Sequence, residues 1–440
     1  MANPNQQPGE SESLRSILGT QSNIQKFFDE IWQKSCAVFT VEHRSNPSPL
    51  DTLIGDGFDV TSDLMSQTHR IEEMPLFFQN TNLLSHEEVR VKYTNGDNSN
   101  DRNLCFPAFL DGCSIVLNHA DLRSFPIAHL CNDLQRSFPH AYANAYITPR
   151  CSQAVPAHAD DRDVFIVQIY GSKTWTVYQR VPIPYPYPDE QVGKAGHPVP
   201  EAVLQGPVLL QHTLVPGSVL YMPRGYVHQA STTADSSSCH VTVALATHDW
   251  TLAGALQSAG RAVWTRNVAW RQALPRQVGT AAVLGDQERQ QLQEQIDAAI
   301  DALRREVTVE AVEEAMRVKL GRHNATAREG RRNVVLRQEQ QEVTLPPTAS
   351  RSGPEASNYV RLSTVVRATT EEEKAAVQQQ FQGQVGLLVA DDYFDEVLAC
   401  LQHLKAGSIV GKVEDSTLCD LTKLCVARRC VELGALALAD

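Results

Sequence analysis

Hydrophobic positions change their period along this chain, and the changes divide it. Ile24, Phe27, Phe28, Ile31 and Trp32 recur at helical spacing, which predicts a helix after Ser22. Phe39 to Glu42 alternates like a strand. Cys113-Ser114-Ile115-Val116-Leu117 reads as a buried strand, and residues 127–137 as a helix with Leu130 and Leu134 on one face. Between 142 and 247 the period falls to two. Tyr146-Ile147-Thr148, Val164 to Ile169, Lys173 to Tyr178, Ser218 to Met222 and His240 to Ala246 are short and rich in β-branched and aromatic residues. Such a series, with Pro216-Gly217 as one of its turns, predicts a sandwich or barrel.

After Trp250 the helical period returns. Leu292, Ile296, Ala299 and Leu303 form one stripe, and Val312, Met316 and Leu320 a second that ends at Gly321. The pair predicts an αα-hairpin, able to pack on another subunit. Residues 322–357, polar and basic at Arg328, Arg331 and Arg332, read as a linker. A last unit has a helix carrying Val397, Leu398, Leu401 and Leu404, a second helix near 416–433, and an apolar strand Ala435 to Ala439. That order fits a winged helix. The expected division is a disordered tail over 1–21, a catalytic domain over 22–250, a helical region and linker over 251–340, and a winged-helix domain over 341–440.

Composition narrows the class. A chain of 440 residues with 42% hydrophobic content can bury a large core. Its net charge of -12 argues against coating nucleic acid, and the last ninety residues, with nine Lys/Arg against thirteen Asp/Glu, offer no DNA-binding face. Ten scattered cysteines without a Cys-x-x-Cys pair read as reduced thiols. The polar first residues lack the apolar core of a signal peptide, and no apolar run reaches membrane-spanning length. A soluble intracellular protein is expected. The proline-rich stretch 181–206 reads as an ordered lid, a partner-binding loop or a plain surface insertion.

Candidate chemistry centres on Pro156-Ala157-His158-Ala159-Asp160 and on His228. Side chains two apart in an extended segment share a side, so His158 and Asp160 can grip one metal ion together. A second imidazole from a neighbouring strand completes a set that leaves positions open, as in non-haem Fe(II) oxygenases. His119-Ala120-Asp121 has the same spacing without a strand after it. We read His119 as surface chemistry and Asp121 as a helix cap. Lys173, thirteen residues after Asp160, needs an anionic partner if it faces an apolar interior; the plainer reading is an exposed lysine at a hairpin turn.

Several motifs together resemble the JmjC ribosomal oxygenases, the bifunctional lysine-specific demethylase and histidyl-hydroxylase type. They are Asn144-Ala145-Tyr146-Ile147-Thr148-Pro149, His158-Ala159-Asp160-Asp161, Gly171-Ser172-Lys173-Thr174-Trp175, Leu220 to Gln229, and His240-Val241-Thr242-Val243. The resemblance covers about residues 105–250. It implies a double-stranded β-helix core of the cupin/JmjC jelly-roll type, a helical dimerisation region giving a homodimer, and a C-terminal winged helix. It implies Fe(II) on His158, Asp160 and His228, with 2-oxoglutarate bound by Lys173 and the pocket lined by Asn144 and Tyr146. It also implies hydroxylation of a histidine in a ribosomal protein, or demethylation of histone lysine by the same iron site, in the nucleus or nucleolus. Two positions depart from the pattern: Ala159, where relatives carry an aromatic residue, and Arg162 near the mouth. Both are expected to alter the substrate pocket more than the iron site. A non-oxygenase cupin and an inactive scaffold are the competing classes. His240 reads as a packed residue.

Overall fold

The computed structural model describes residues 10–41, 48–55, 58–65, 75–94, 103–194, 196–245, 247–278, 283–343, 389–390, 393–403 and 420–432. By internal contacts the chain forms two compact units, one of Met1–Leu245 with Arg331–Asp440 and one of Ala246–Gly330.

Eleven strands in the first unit are described: β1 (Ala37–Thr40), β2 (Leu76–Gln79), β3 (Asn82–Leu84), β4 (Ser114–Leu117), β5 (Ala141–Thr148), β6 (Asp163–Gly171), β7 (Lys173–Tyr178), β8 (Val208–Leu214), β9 (Ser218–Met222), β10 (His228–Ser231) and β11 (Ser238–Leu245). Eight form one sheet in the order β1-β9-β6-β11-β5-β4-β2-β3, and three form a second in the order β10-β7-β8. All these pairings are antiparallel. This is the expected jelly-roll core, and each strand expected from the period-two runs lies within or overlaps an observed one.

The near-continuous apolar run of β6 has a physical reason: both of its faces are covered. Val164 and Ile166 join Trp175, Val177, Leu214, Leu220 and Met222 in the layer between the two sheets. Phe165, Val167 and Ile169 point the other way, into a larger core shared with helical residues such as Leu14, Phe27, Phe109 and Leu130. On β7, Lys173, Trp175 and Val177 are buried while Thr174 and Thr176 are not, the alternation of a half-buried strand. The bend that starts this strand depends on Gly171 (φ +60), where a Cβ would collide with the Ser237 carbonyl.

Three expectations need correcting. The tail expected over 1–21 contains a helix, Glu12–Leu18, whose Leu14, Ile17 and Leu18 enter the main core. Ser11 caps it by accepting from Leu14 N, and Asp133 accepts from Ser11 Oγ and Ser13 N at 2.7 Å each. The linker expected from 322 is helical as far as residue 343, within the helix Val309–Val343. Asp121 is no cap. It is buried in a short turn, accepts from Ala143 N at 3.1 Å, and receives Arg331 Nε at 2.8 Å. Arg331, one of the basic linker residues, is itself 1% exposed and also bonds Asn132, Gln135 and the Ala141 carbonyl.

That buried pair gives a stability prediction. Arg331→Met leaves the Asp121 carboxylate in the core without its cation, which is expected to cost about 3–5 kcal/mol in urea unfolding. Adding Asp121→Asn recovers part of the loss; full stability in the single variant would contradict the assignment.

Of the C-terminal unit, the helices Phe394–His403 and Asp420–Glu432 are described. Val397, Cys400, Leu421, Cys425, Val426 and Cys430 belong to the same core as the large sheet. The expected strand Ala435 to Ala439 lies outside the described residues. The second compact unit holds Leu252–Arg266 packed on Asp286–Glu306, with Gly260 against Leu303. Asp286–Glu306 is followed by Val309–Val343, which runs on through Gly321, where the second stripe was expected to end. No described helix is long and apolar enough to cross a membrane. The nine cysteines among the described residues form no disulfide.

Candidate metal centre and co-substrate pocket

Backbone pairing brings distant ligands together. His158 N donates to His228 O at 3.1 Å, and His228 N donates to His158 O at 2.9 Å, so the two residues face each other across an antiparallel bridge. Gly225 N donates to Asp160 O at 2.9 Å and extends the contact. Seventy residues of separation therefore collapse to a ring-centroid distance of 4.4 Å. His158 Nε2 lies 3.6 Å from Asp160 Oδ1, and His228 Nε2 lies 3.7 Å from Asp160 Oδ2. One ligand atom from each of the three residues falls within 4.8 Å of the others.

The hydrogen bonds set the protonation. His158 Nδ1 is 2.7 Å from the Pro156 carbonyl, and His228 Nδ1 is 3.0 Å from the Tyr226 carbonyl. A carbonyl only accepts, so each Nδ1 carries the proton and each Nε2 keeps its lone pair for an ion. Burial holds both imidazoles below their usual range, and the Lys194 charge adds to it. For Asp160, burial pushes upward, but Lys194 and the two histidines outweigh it and hold the carboxyl below the usual range. Two neutral imidazoles and one carboxylate are the donor set that suits a divalent transition ion with open positions.

Beside them a cavity is lined by Tyr146, Trp175, His240, Thr242 and Lys173 as well as by the three candidate ligands. Lys173 is 2% exposed, and its Nζ donates to Thr148 Oγ1 at 2.8 Å. Among the described residues no carboxylate pairs with it. Burial accordingly pushes its pKa down to about 7. His240 stands opposite Tyr146 in the β5–β11 register and stacks on it, with centroids 4.8 Å apart and planes 4° off parallel. Trp175 meets His240 edge-on at 5.3 Å. Trp175 Nε1 and His240 Nδ1 are buried and have no hydrogen-bond partner among the described residues.

The expected site residues thus take these places. His158, Asp160, His228, Lys173 and Tyr146 border one cavity. Asn144 is not on its wall: its Oδ1 accepts from His119 N at 3.0 Å. His119 is exposed and its Asp121 partner is engaged with Arg331, so the second His-x-Asp pair builds no comparable cluster. Ala159 is not on the cavity wall. It is buried with Tyr178, Val192, Val203 and Val227, under the proline-rich segment. Arg162 lies over the Tyr142 ring at 5.3 Å. Sequence reasoning missed Lys194, whose Nζ donates to Asp160 Oδ1 at 2.6 Å, and the place of His240 on the cavity wall. Lys194 carries no periodic signal, whereas the alternation of β11 does point His240 to the side of Thr242.

Comparison with known proteins agrees with this geometry. Residues 119–252 match the JmjC domain. The chain is 27% identical over 311 residues to the bifunctional lysine-specific demethylase and histidyl-hydroxylase NO66 of Branchiostoma floridae, covering 69% of this chain and 45% of that protein. The NO66 protein of Drosophila persimilis is 30% identical over 211 residues, 47% of this chain and 29% of its own. The chain therefore spans less than half the length of these relatives. Among solved structures it is similar to YcfD, a ribosomal oxygenase from Escherichia coli, at 17% identity and a TM-score of 0.40 over 68% of this chain and 70% of that one. Strands β5 to β11, the His-x-Asp segment and the distal histidine all lie inside residues 119–252, so that span of the chain is a JmjC domain, and the chain is similar to the NO66 proteins.

Proposed function

We propose that this chain is an Fe(II)- and 2-oxoglutarate-dependent oxygenase that hydroxylates a histidine side chain of a ribosomal protein. One observation carries the reading: a buried lysine without a carboxylate partner shares a cavity with a two-histidine, one-carboxylate cluster. The residues fit both groups. His158, Asp160 and His228 would hold the iron, and Lys173 would neutralise the far carboxylate of 2-oxoglutarate, next to Tyr146. When bound, the iron couples oxidation of 2-oxoglutarate by oxygen, to succinate and carbon dioxide, with insertion of the second oxygen atom into a substrate C–H bond.

The chain's own work is to bind, orient and keep the cavity dry. Each Nδ1–H···O=C bond fixes an imidazole's direction. Val164, Ile166 and Trp175 give the cavity an apolar wall. No general base or nucleophile is needed. The relatives' names supply the histidine and methyl-lysine alternatives, and the motif resemblance supplies the ribosomal protein. A homodimer through the helical region, a C-terminal winged helix and a nuclear location belong to the same reading; Ile296 and Ile300, both half-exposed, leave a surface for helix pairing.

The test is mass spectrometry of histidine-containing ribosomal-protein peptides and methyl-lysine histone peptides incubated with protein, Fe(II), 2-oxoglutarate and oxygen. One added oxygen on a histidine peptide, absent with His158→Ala, is the expected result. Loss of methyl groups instead would move the assignment to demethylation. No change in either, with no succinate formed, would sink the oxygenase reading.

A further inference from the structure

The segment between β7 and β8 folds back over the ligand segment like a strap. Val192 O accepts from Ala159 N at 2.9 Å, and Val192 itself bridges to His197. At Gly193, φ is +77, and a Cβ would collide with the Ala157 carbonyl and stand 2.7 Å from His158 Cα. Only glycine lets the strap lie this close. The next residue is pinned on both sides, as Lys194 N donates to Gln191 O at 3.1 Å and His197 N donates to Lys194 O at 3.0 Å. From there its ammonium reaches Asp160 Oδ1 at 2.6 Å. The small Ala159 is part of the same seat, because Val192 and Val203 pack on it.

We propose that Lys194 is a positioning residue for Asp160, delivered by the strap. The inference rests on the metal reading given above. The ammonium takes one carboxylate oxygen, and the other, 3.7 Å from His228 Nε2, is left to face the ion. A carboxylate held this way offers a single oxygen in a set direction, and its neighbours keep the remaining positions open. The Lys194 side chain is itself 37% exposed, and an ion pair this open contributes little by charge alone. Here the backbone of the strap is fixed by the very segment that carries the ligands, so Lys194 has a short reach to one oxygen. The metal centre thus includes a piece of the proline-rich insertion. Its seat depends on Gly193 and Ala159.

Titration with Co(II), a redox-stable stand-in for Fe(II), followed by visible absorption, tests this without relying on turnover. Lys194→Met keeps an unbranched side chain of nearly the same length and removes the donor. It is expected to weaken Co(II) binding by about tenfold or more, the usual effect of removing a group that orients a metal ligand. Its cobalt bands should shift while the circular dichroism and melting of the metal-free protein stay in place. Gly193→Ala, which lifts the strap with Lys194 still present, should weaken binding in the same direction. Unchanged Co(II) affinity in folded Lys194→Met would overturn the proposal, as would tighter binding, which would make the ammonium a competitor for the ion. If the wild-type protein takes up no Co(II), the metal reading falls and this one with it. If the wild-type and Lys194→Met bind alike, only the positioning role falls.

Discussion

Alanine in place of His228 is expected to abolish 2-oxoglutarate turnover while leaving the fold intact. The backbone N–H and carbonyl of residue 228 make the bridge to His158, and alanine retains both. The side chain contributes an imidazole whose Nδ1 proton is directed at the Tyr226 carbonyl and whose Nε2 faces Asp160. Removing it leaves one imidazole and one carboxylate, too few to hold an ion against water. Changes to groups that merely orient ligands already cost about 10–100-fold in affinity or activity, so loss of a ligand should exceed about a hundredfold. Succinate release measured against Co(II) uptake checks it, since both should fail together. Turnover retained at wild-type level in His228→Ala would remove this residue from the centre. A far-UV spectrum unchanged from wild type separates lost chemistry from lost structure.

Lys173→Met should act in two directions at once. Burying an ammonium without a carboxylate is unfavourable, so an apolar side chain of similar length is expected to raise stability by about 1–4 kcal/mol near pH 7. The same change removes the one cation that the described residues place in the cavity wall, so 2-oxoglutarate binding should be lost. A lysine with no part in co-substrate binding would show the gain without the loss. The pH dependence has a definite sign. The folded-state pKa is pushed down to about 7, far under the ordinary lysine value of 10.5. Between those values the unfolded chain holds a proton that the native one has released, so stability rises with pH across that window, and Lys173→Met flattens the slope. Binding of the co-substrate anion needs the charged form. Its affinity should therefore fall as pH climbs above about 7, approaching tenfold per unit. Calorimetric titration from pH 6 to 9 reads this directly, and a flat profile would place the anion elsewhere.

How much of this was legible beforehand follows from the range of each interaction. His158 and Asp160 could be paired from spacing alone, because alternation along an extended backbone is a local rule. The strands β6, β7, β9 and β11 were visible for the same reason, whereas Lys173 stood open between an inward and an exposed lysine until the motif resemblance gave it a role. His228 was named beside His158 and Asp160 as a candidate, but nothing within a few residues says that its segment pairs with 158; that pairing is a long-range contact.

Other features came only from tertiary contacts. The helix Glu12–Leu18 is too short to persist alone and is held by Asp133, more than a hundred positions away. Arg331 sits in a polar, basic run that reads as solvated, yet it closes on Asp121 because the folded sheet presents a buried carboxylate there. Ala159 looked like an alteration of the substrate pocket and turned out to lie under the strap. Lys194 gave no signal at all.

Local periodicity, turn glycines and side-chain chemistry were determined by the order of residues, since they act over a few positions. The partners of Arg331, Ala159 and Lys194 were decided by long-range closure, where burial and charge are set by whichever segment arrives from elsewhere in the chain.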